Sequence, residues 1–368
     1  MYALKTRRST PAARAQRGLS IVEVMVGMVV SLLVGLAATG SAQMFTASQR
    51  QGIGTGGALL NATTALTALR DDVAAAGLGF FGDSKYLCST LNLSVAAAVV
   101  QNGASFTPVG ITAETAGDRV DVVSSTQVAS GANVLLKSST TGIGGGTAQL
   151  RSLLPVTVGQ AVLLAPPVQG APCLVRSVTA VADATDDTPQ TLTFATSGAN
   201  SKFNQASFTT NPTYPVSDYP DIGRVAILGD LRWSRYRLQG TDLRLERPLG
   251  GDAVVLVRNV VAFRAQYGMA NAAVGSTALE TWESATGGFA TMTAATLPRV
   301  RALQIGVVTR SPQAEKPNPG TGVCEATAAM PTLFGTTVAS DVTDWQCYRY
   351  RTAIVVVPLR NLVIGMAP

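Results

Sequence analysis

Arg17-Gly18-Leu19-Ser20-Ile21-Val22-Glu23 is the stretch on which the reading of this chain turns. A basic segment ends in glycine, and an apolar run with one early acid follows. Residues 1–18 contain Lys5, Arg7, Arg8, Arg14 and Arg17 and no acid, so they are expected to stay on the cytoplasmic side of a membrane. From Leu19 to Ala42 the only ionisable side chain is Glu23, and no proline intervenes. As a helix this segment would span about 36 Å, enough for a hydrocarbon core of roughly 30 Å.

An ordinary secretory signal places its small-residue cleavage site after the apolar region. Here Gly18 precedes that region and no lipobox cysteine follows. A cut after Gly18 would leave the helix on the mature chain. Glu23 opposes insertion, since an acid at the centre of a membrane helix costs about 2.5 to 3.5 kcal/mol and less near an end. The twelve Ile, Val, Leu and Met residues from Ile21 to Leu36 offset it, at about 0.3 to 0.6 kcal/mol for each Ile, Val and Leu. An intramembrane acid points to function, and the new amino group of Leu19 is its natural partner, within the chain or on a neighbouring copy. The plainer alternative is an incidental acid reaching toward the interface.

Residues 14–42 resemble the N-terminal signature of type IV pilins and pseudopilins. The resemblance implies that a prepilin peptidase cuts between Gly18 and Leu19 and methylates the amino group of Leu19. It also implies that Glu23, the fifth residue after the cut, serves subunit assembly. Leu19 departs from the pattern, since most members carry Phe there.

The formal charge is +6, but the first 18 residues hold five of the cations, leaving 23 basic against 22 acidic side chains. That balance gives no support to a nucleic-acid surface, and no specific nucleic acid is expected as a partner. Cys88, Cys173, Cys324 and Cys347 all follow the apolar helix, where an oxidising compartment would favour two disulfides. Three connectivities are open. Cys324 with Cys347, closing a Pro- and Thr-containing loop, is favoured, with Cys88 and Cys173 paired by default. There is no His and no C-x-x-C spacing, so neither a metal site nor a cofactor is expected. The lack of His also removes the usual general base, and the acid pairs Asp71-Asp72 and Asp186-Asp187 are adjacent in sequence rather than arranged as catalytic dyads. A non-enzyme is expected.

Beyond the membrane segment, residues 43–80 read as a continuation of the helix. Gly52 to Gly57, GIGTGG, are expected to bend or unwind it, each Gly costing about 1 kcal/mol against Ala. Leu59, Ala62, Leu66, Leu69, Val73 and Ala76 then form a stripe for packing on a globular head. Residues 81–368 are read as that head, rich in short β-like runs. Candidate strands are Arg119–Ser124, Ala132–Lys137, Ala161–Ala165, Cys173–Val181 and Thr191–Ala195. A hairpin is expected from Leu231–Arg237 and Leu243–Arg247, then strands at Ala253–Tyr267, Arg299–Thr309 and Tyr348–Ile364. The expected class is α+β, with a long N-terminal helix and an antiparallel β-rich head. Pro212 to Asp221 is the best candidate boundary within it.

The segments RYRLQGTDLRLER (235–247), VVAFRAQYG (260–268), VRALQIGVVTRS (300–311) and CYRYRTAIVVVPLRN (347–361) are similar to the PilW group of minor pilins, with the PulJ/GspJ pseudopilins as kin. LRDDVAAAGLGFFG (69–82) likewise resembles the end of the PilW helix. Residues near 83–220 resemble no named family and read as an insertion. The resemblance implies a type IV pilin-like fold and an inner-membrane protein with a periplasmic head, assembled into a pilus. Its implied partners are prepilin peptidase, other minor pilins, the major pilin and a tip adhesin. Two other functions remain open: a GspJ-like pseudopilin of type II secretion, and a signal-anchored exported binding protein that never polymerises.

Overall fold

The computed structural model describes residues 20–78, 80, 88–125, 133–138, 140–141, 146–167, 171–205, 207–209, 213–214, 222–272, 276, 278–293, 295–318 and 320–365. Residues 1–18 and the Gly18–Leu19 junction lie outside these. The chain divides into two units, Met1–Ile53 and Gly54–Pro368.

Helix α1 runs from Ile21 to Ala74. It passes through Gly52–Gly57 without the expected interruption. Glycine is poor at starting a helix, but here helix already exists on both sides, and each added residue gains a hydrogen bond without the cost of nucleation. In the second unit its buried face is Ala58, Ala62, Ala65, Leu66, Leu69 and Val73, none more than 6% exposed. The arc centres on Ala62, Leu69 and Val73, and Leu59, at its edge, is 50% exposed, contrary to the expected stripe. From Ala62 to Val73 these residues join one core with Val120, Val122, Phe263, Tyr267, Leu303, Ile305 and Val307. Two polar contacts fix the helix further. Tyr236 Oη donates to Asp72 Oδ2 at 2.6 Å, and Thr309 Oγ1 donates to the Ala58 carbonyl at 2.8 Å. Burial and the Asp72 carboxylate both push the Tyr236 phenol well above its usual range.

Three sheets carry the head. The first orders Leu279–Ser284, Val260–Ala270, Val300–Arg310 and Tyr350–Pro358, all antiparallel. The second orders Val254–Val257, Asp242–Glu246, Leu231–Gln239, Arg119–Ser125 and Val109–Thr112. Its hairpin closes with Gln239 opposite Asp242, leaving Gly240 and Thr241 as the turn, and Gly240 takes a φ of 60°. The third orders Ala98–Ser105, Thr90–Val95, Cys173–Ser177, Ala161–Ala165, Arg224–Gly229 and Asn133–Leu135. It contains a parallel pair, Thr90–Val95 with Cys173–Ser177, which an all-antiparallel expectation does not include. A separate core of Leu136, Leu150, Leu164, Leu192, Phe194 and Val225 lies in this portion. Because Arg224–Gly229 pairs with Ala161–Ala165, the portion extends past the Pro212–Asp221 segment, of which residues 212 and 215–221 lie outside the described set.

Three expected strands are divided. Cys173–Val181 becomes Cys173–Ser177 and Ala180–Ala182, which belong to separate sheets. Ala253–Tyr267 splits at Asn259, which takes a φ of 60°, a conformation asparagine tolerates better than most. Tyr348–Ile364 ends as a strand at Pro358, and helix α2 follows from Arg360 to Gly365. Proline cannot donate to a ladder, yet suits the approach to a helix.

Asp118 ties the first two sheets together. Its own N–H donates to the Phe263 carbonyl at 2.8 Å, while its Oδ2 accepts from the Ala265 N–H at 2.8 Å and its Oδ1 from Arg264 Nη1 at 3.0 Å. Burial raises its carboxyl above the ordinary range despite these bonds.

Two outcomes are expected. Leu69→Ala should cost about 2–5 kcal/mol in urea unfolding of the full chain, and Leu59→Ala within about 0.5 kcal/mol of nothing; equal effects would show that the buried face is misplaced. An acid raised on folding contributes most below its unfolded pKa and loses that contribution as pH rises through the folded value. Wild type should therefore gain stability relative to Asp118→Asn as pH is lowered from neutrality to about 4, and a pH-independent difference would contradict it.

Candidate assembly site

The segment Ile21–Ala42 has a mean hydropathy of 2.4 and is long and apolar enough to cross a membrane. Every Ile, Val, Leu and Met from Ile21 to Leu36 is at least 42% exposed. This is the reverse of the same helix in the second unit. Water would solvate such a surface poorly, at about 25 cal/mol for each Å² of apolar area left exposed. Its polar side chains do not disturb the apolar character. Ser31, Thr39 and Ser41 donate their hydroxyls to the carbonyls of Met28, Leu36 and Ala37 at 2.9 Å each, so the helix satisfies them internally. Gly27 and Gly35 have nothing within 4 Å of where a Cβ would stand, leaving notches where another helix can approach.

Glu23 stands in the first turn of α1, exposed. Its backbone N–H donates to the Ser20 carbonyl at 2.9 Å, and Val24 N–H donates to the same oxygen at 3.1 Å, which fixes the helix start just before it. A carboxylate here faces the positive end of the helix dipole, a favourable position of roughly 0.3–1 kcal/mol. Among the described residues it has no ion pair, and Gly18 and Leu19 lie outside them. The backbone thus fixes the acid at the helix start, and its partner is not among the described residues.

The acids of the head differ. Asp121 Oδ1 accepts from Trp233 Nε1 and from Arg235 Nε, both at 2.7 Å, and Oδ2 accepts from Arg119 Nε at 3.0 Å. Arg119 extends the network to Glu114 at 3.1 Å and to Thr112 Oγ1 at 3.0 Å. The group borders a cavity of about 200 Å³ that Phe106, Gly110 and Met292 also line. Two guanidinium groups face two carboxylates, and the result is a clamp between the Arg119–Ser125 and Leu231–Gln239 strands rather than reactive chemistry. The clamp was not anticipated from sequence. Its signal was an acid inside the apolar strand Arg119-Val120-Asp121-Val122-Val123, which requires partners once buried.

Cys88 is bonded to Cys173, and Cys324 to Cys347. The first bond ties the start of the parallel strand pair, where Leu91 stands opposite Cys173. The second closes a loop whose two ends are 23 residues apart. Just outside it Arg349 pairs with Glu315, whereas Arg351 and Arg360 are exposed. Asp72 is engaged by Tyr236, and Asp186 and Asp187 lie exposed in a loop. Among the described residues no group of three or more His, Cys, Asp and Glu side chains is placed to hold a metal.

A comparison with curated proteins finds no match. Among solved structures, a type IV-like pilin from Thermus thermophilus aligns with 82% of this chain and 95% of its own, at 11% identity and a TM-score of 0.30. Residues 236–361 match the family model described as type IV pilus-assembly protein W, PilW. That match takes in the hairpin, the long antiparallel strands and the start of α2. Residues 236–361, the C-terminal third of the chain, are thus similar to the PilW family of type IV pilus assembly.

Proposed function

We propose that the chain is a minor pilin, made as a precursor and cut by prepilin peptidase between Gly18 and Leu19, with methylation of the Leu19 amino group. Helix α1 then holds it in the inner membrane with the head in the periplasm. From there it enters a type IV pilus with other minor pilins and the major pilin, where it helps start the filament and takes part in a tip complex that contacts an adhesin. Its work is structural rather than catalytic.

One observation carries this reading: the exposed apolar segment Ile21–Ala42 holds a single acid, Glu23, in its first turn, with no cation beside it among the described residues. Lateral packing of such helices supplies the attraction between subunits, and small residues at Gly27 and Gly35 let them approach. Glu23 supplies register, since its charge is best satisfied by the amino terminus of an adjoining subunit. An anchored protein that never polymerises would offer the acid no such neighbouring subunit.

Glu23→Ala should insert and be cleaved but be lost from sheared pili, as read by immunoblot of membrane and pilus fractions. Normal incorporation of that variant would remove the role given to Glu23. Gly18→Ala should leave precursor-sized protein in the membrane; chain of fully mature size would count against the cut.

A further inference from the structure

The Tyr350–Pro358 strand ends one side of the four-stranded sheet, and among the described residues it pairs only with Val300–Arg310. Its bonding direction follows from the flanking contacts. Ser311 N–H donates to the Arg349 carbonyl at 2.8 Å, and Leu359 N–H donates to the Arg301 carbonyl at 2.9 Å. Odd-numbered residues therefore bond inward along this antiparallel ladder. The N–H and C=O groups of Thr352, Ile354 and Val356 point to the open side. Their side chains are exposed as well, Ile354 at 48% and Val356 at 49%, while Ala353 and Val355 pack on the main core.

Edge strands are ordinarily blunted by charge, proline or a bulge, because an open ladder recruits other chains. Here Thr352–Val357 carries no charge and no proline, and its register with Val300–Arg310 has no shift. The opposite edge of the same sheet, Leu279–Ser284, does carry such features. It has Glu280 and Glu283, and its pairing shifts between Met269 and Ala270. One edge is guarded and the other is open.

We propose that the open edge is a docking surface for the Leu279–Ser284 edge of a second copy of this chain, joined by strand addition. Three observations select that occupant. Four antiparallel strands alternate in direction, so a second sheet in the same orientation presents Leu279–Ser284 antiparallel to Tyr350–Pro358, the sense of every other pair in the sheet. The charges are opposite: Arg351 and Arg360 flank the open edge, and Glu280 and Glu283 lie on the guarded one. In an antiparallel pairing Arg351 falls near Glu283, on the same face of the sheet. The six residues of Leu279–Ser284 also match the uncharged run Thr352–Val357 in length. Such a contact joins two different surfaces and so leaves a free edge on each side of the pair instead of closing on itself. The proposal rests on the assembly reading only in taking neighbouring heads to share one orientation.

The test uses the full chain in detergent micelles, where no filament is needed. Thr352→Cys and Ser284→Cys chains are prepared separately, mixed, and treated with a short bismaleimide. Covalent dimers are expected from the mixture and not from either chain alone. Ile354→Lys in the Thr352→Cys chain should abolish them while leaving thermal unfolding unchanged, because that side chain is exposed. Glu283→Arg in the Ser284→Cys chain should suppress them, and Arg351→Glu in its partner should restore them. No dimer from the mixture, dimers that persist with Ile354→Lys, or equal yield from Thr352→Cys alone would each overturn the proposal. Loss of pilus entry by Glu23→Ala is read separately, so either idea can fail without the other.

Discussion

Burial of one face of α1 in the head core is the interaction on which the second unit depends. Ala62, Leu66, Leu69 and Val73 supply apolar surface that strands of two sheets share, with Phe263 and Ile305 from one and Val120 and Val122 from the other. A fully buried Leu or Val contributes about 1.5–3 kcal/mol, so these few side chains account for a large part of a marginal net stability. The Tyr236–Asp72 hydrogen bond adds direction to an attraction that otherwise has none. Residues Ile21–Ala42 of the same helix have the opposite character. They bury nothing, and satisfy their own hydroxyls, as a helix in lipid must.

The acids follow the same division. In the head, Asp118 and Asp121 are buried and each is matched by guanidinium and N–H donors from other strands. A buried carboxylate without such partners would cost several kcal/mol, so these networks are conditions of folding rather than sources of activity. Glu23 is bound to no cation among the described residues. An unmatched charge on an apolar helix is tolerable at the helix start and valuable only if another molecule answers it. The buried acids of the head thus serve its architecture, whereas Glu23 is proposed to serve recognition by another subunit.

Much of this was legible in the sequence, for definite reasons. The apolar run with Glu23 stands out because it combines length with Ile, Val, Leu and Met throughout and no proline. Ala161–Ala165 and the hairpin around Gly240 were visible because short apolar or alternating runs ended at strong turn residues. The Gly52–Gly57 segment misled because local propensity was weighed without the helix on either side. Asn259 and Pro358 were read through, although each supplies the backbone conformation that ends a strand. Thr90–Val95, TLNLSV, alternates polar and apolar residues and was passed over, whereas Ala98–Ser105, AVVQNGAS, lacks that alternation; the parallel neighbour of Thr90–Val95, Cys173–Ser177, is more than 75 residues distant, beyond any local pattern. The Asp121 clamp was hidden for the same reason, since Trp233 and Arg235 come from far along the chain.

The central claim is that the apolar helix is an assembly element exposed by processing, not a permanent signal anchor. Mass spectrometry of the N-terminal peptide of chain purified from the membrane and from pili tests it most directly. The account predicts a first residue of Leu19 carrying one methyl group in both fractions. A chain that begins upstream of Leu19, or that begins at Leu19 unmethylated and is absent from pili, would contradict it.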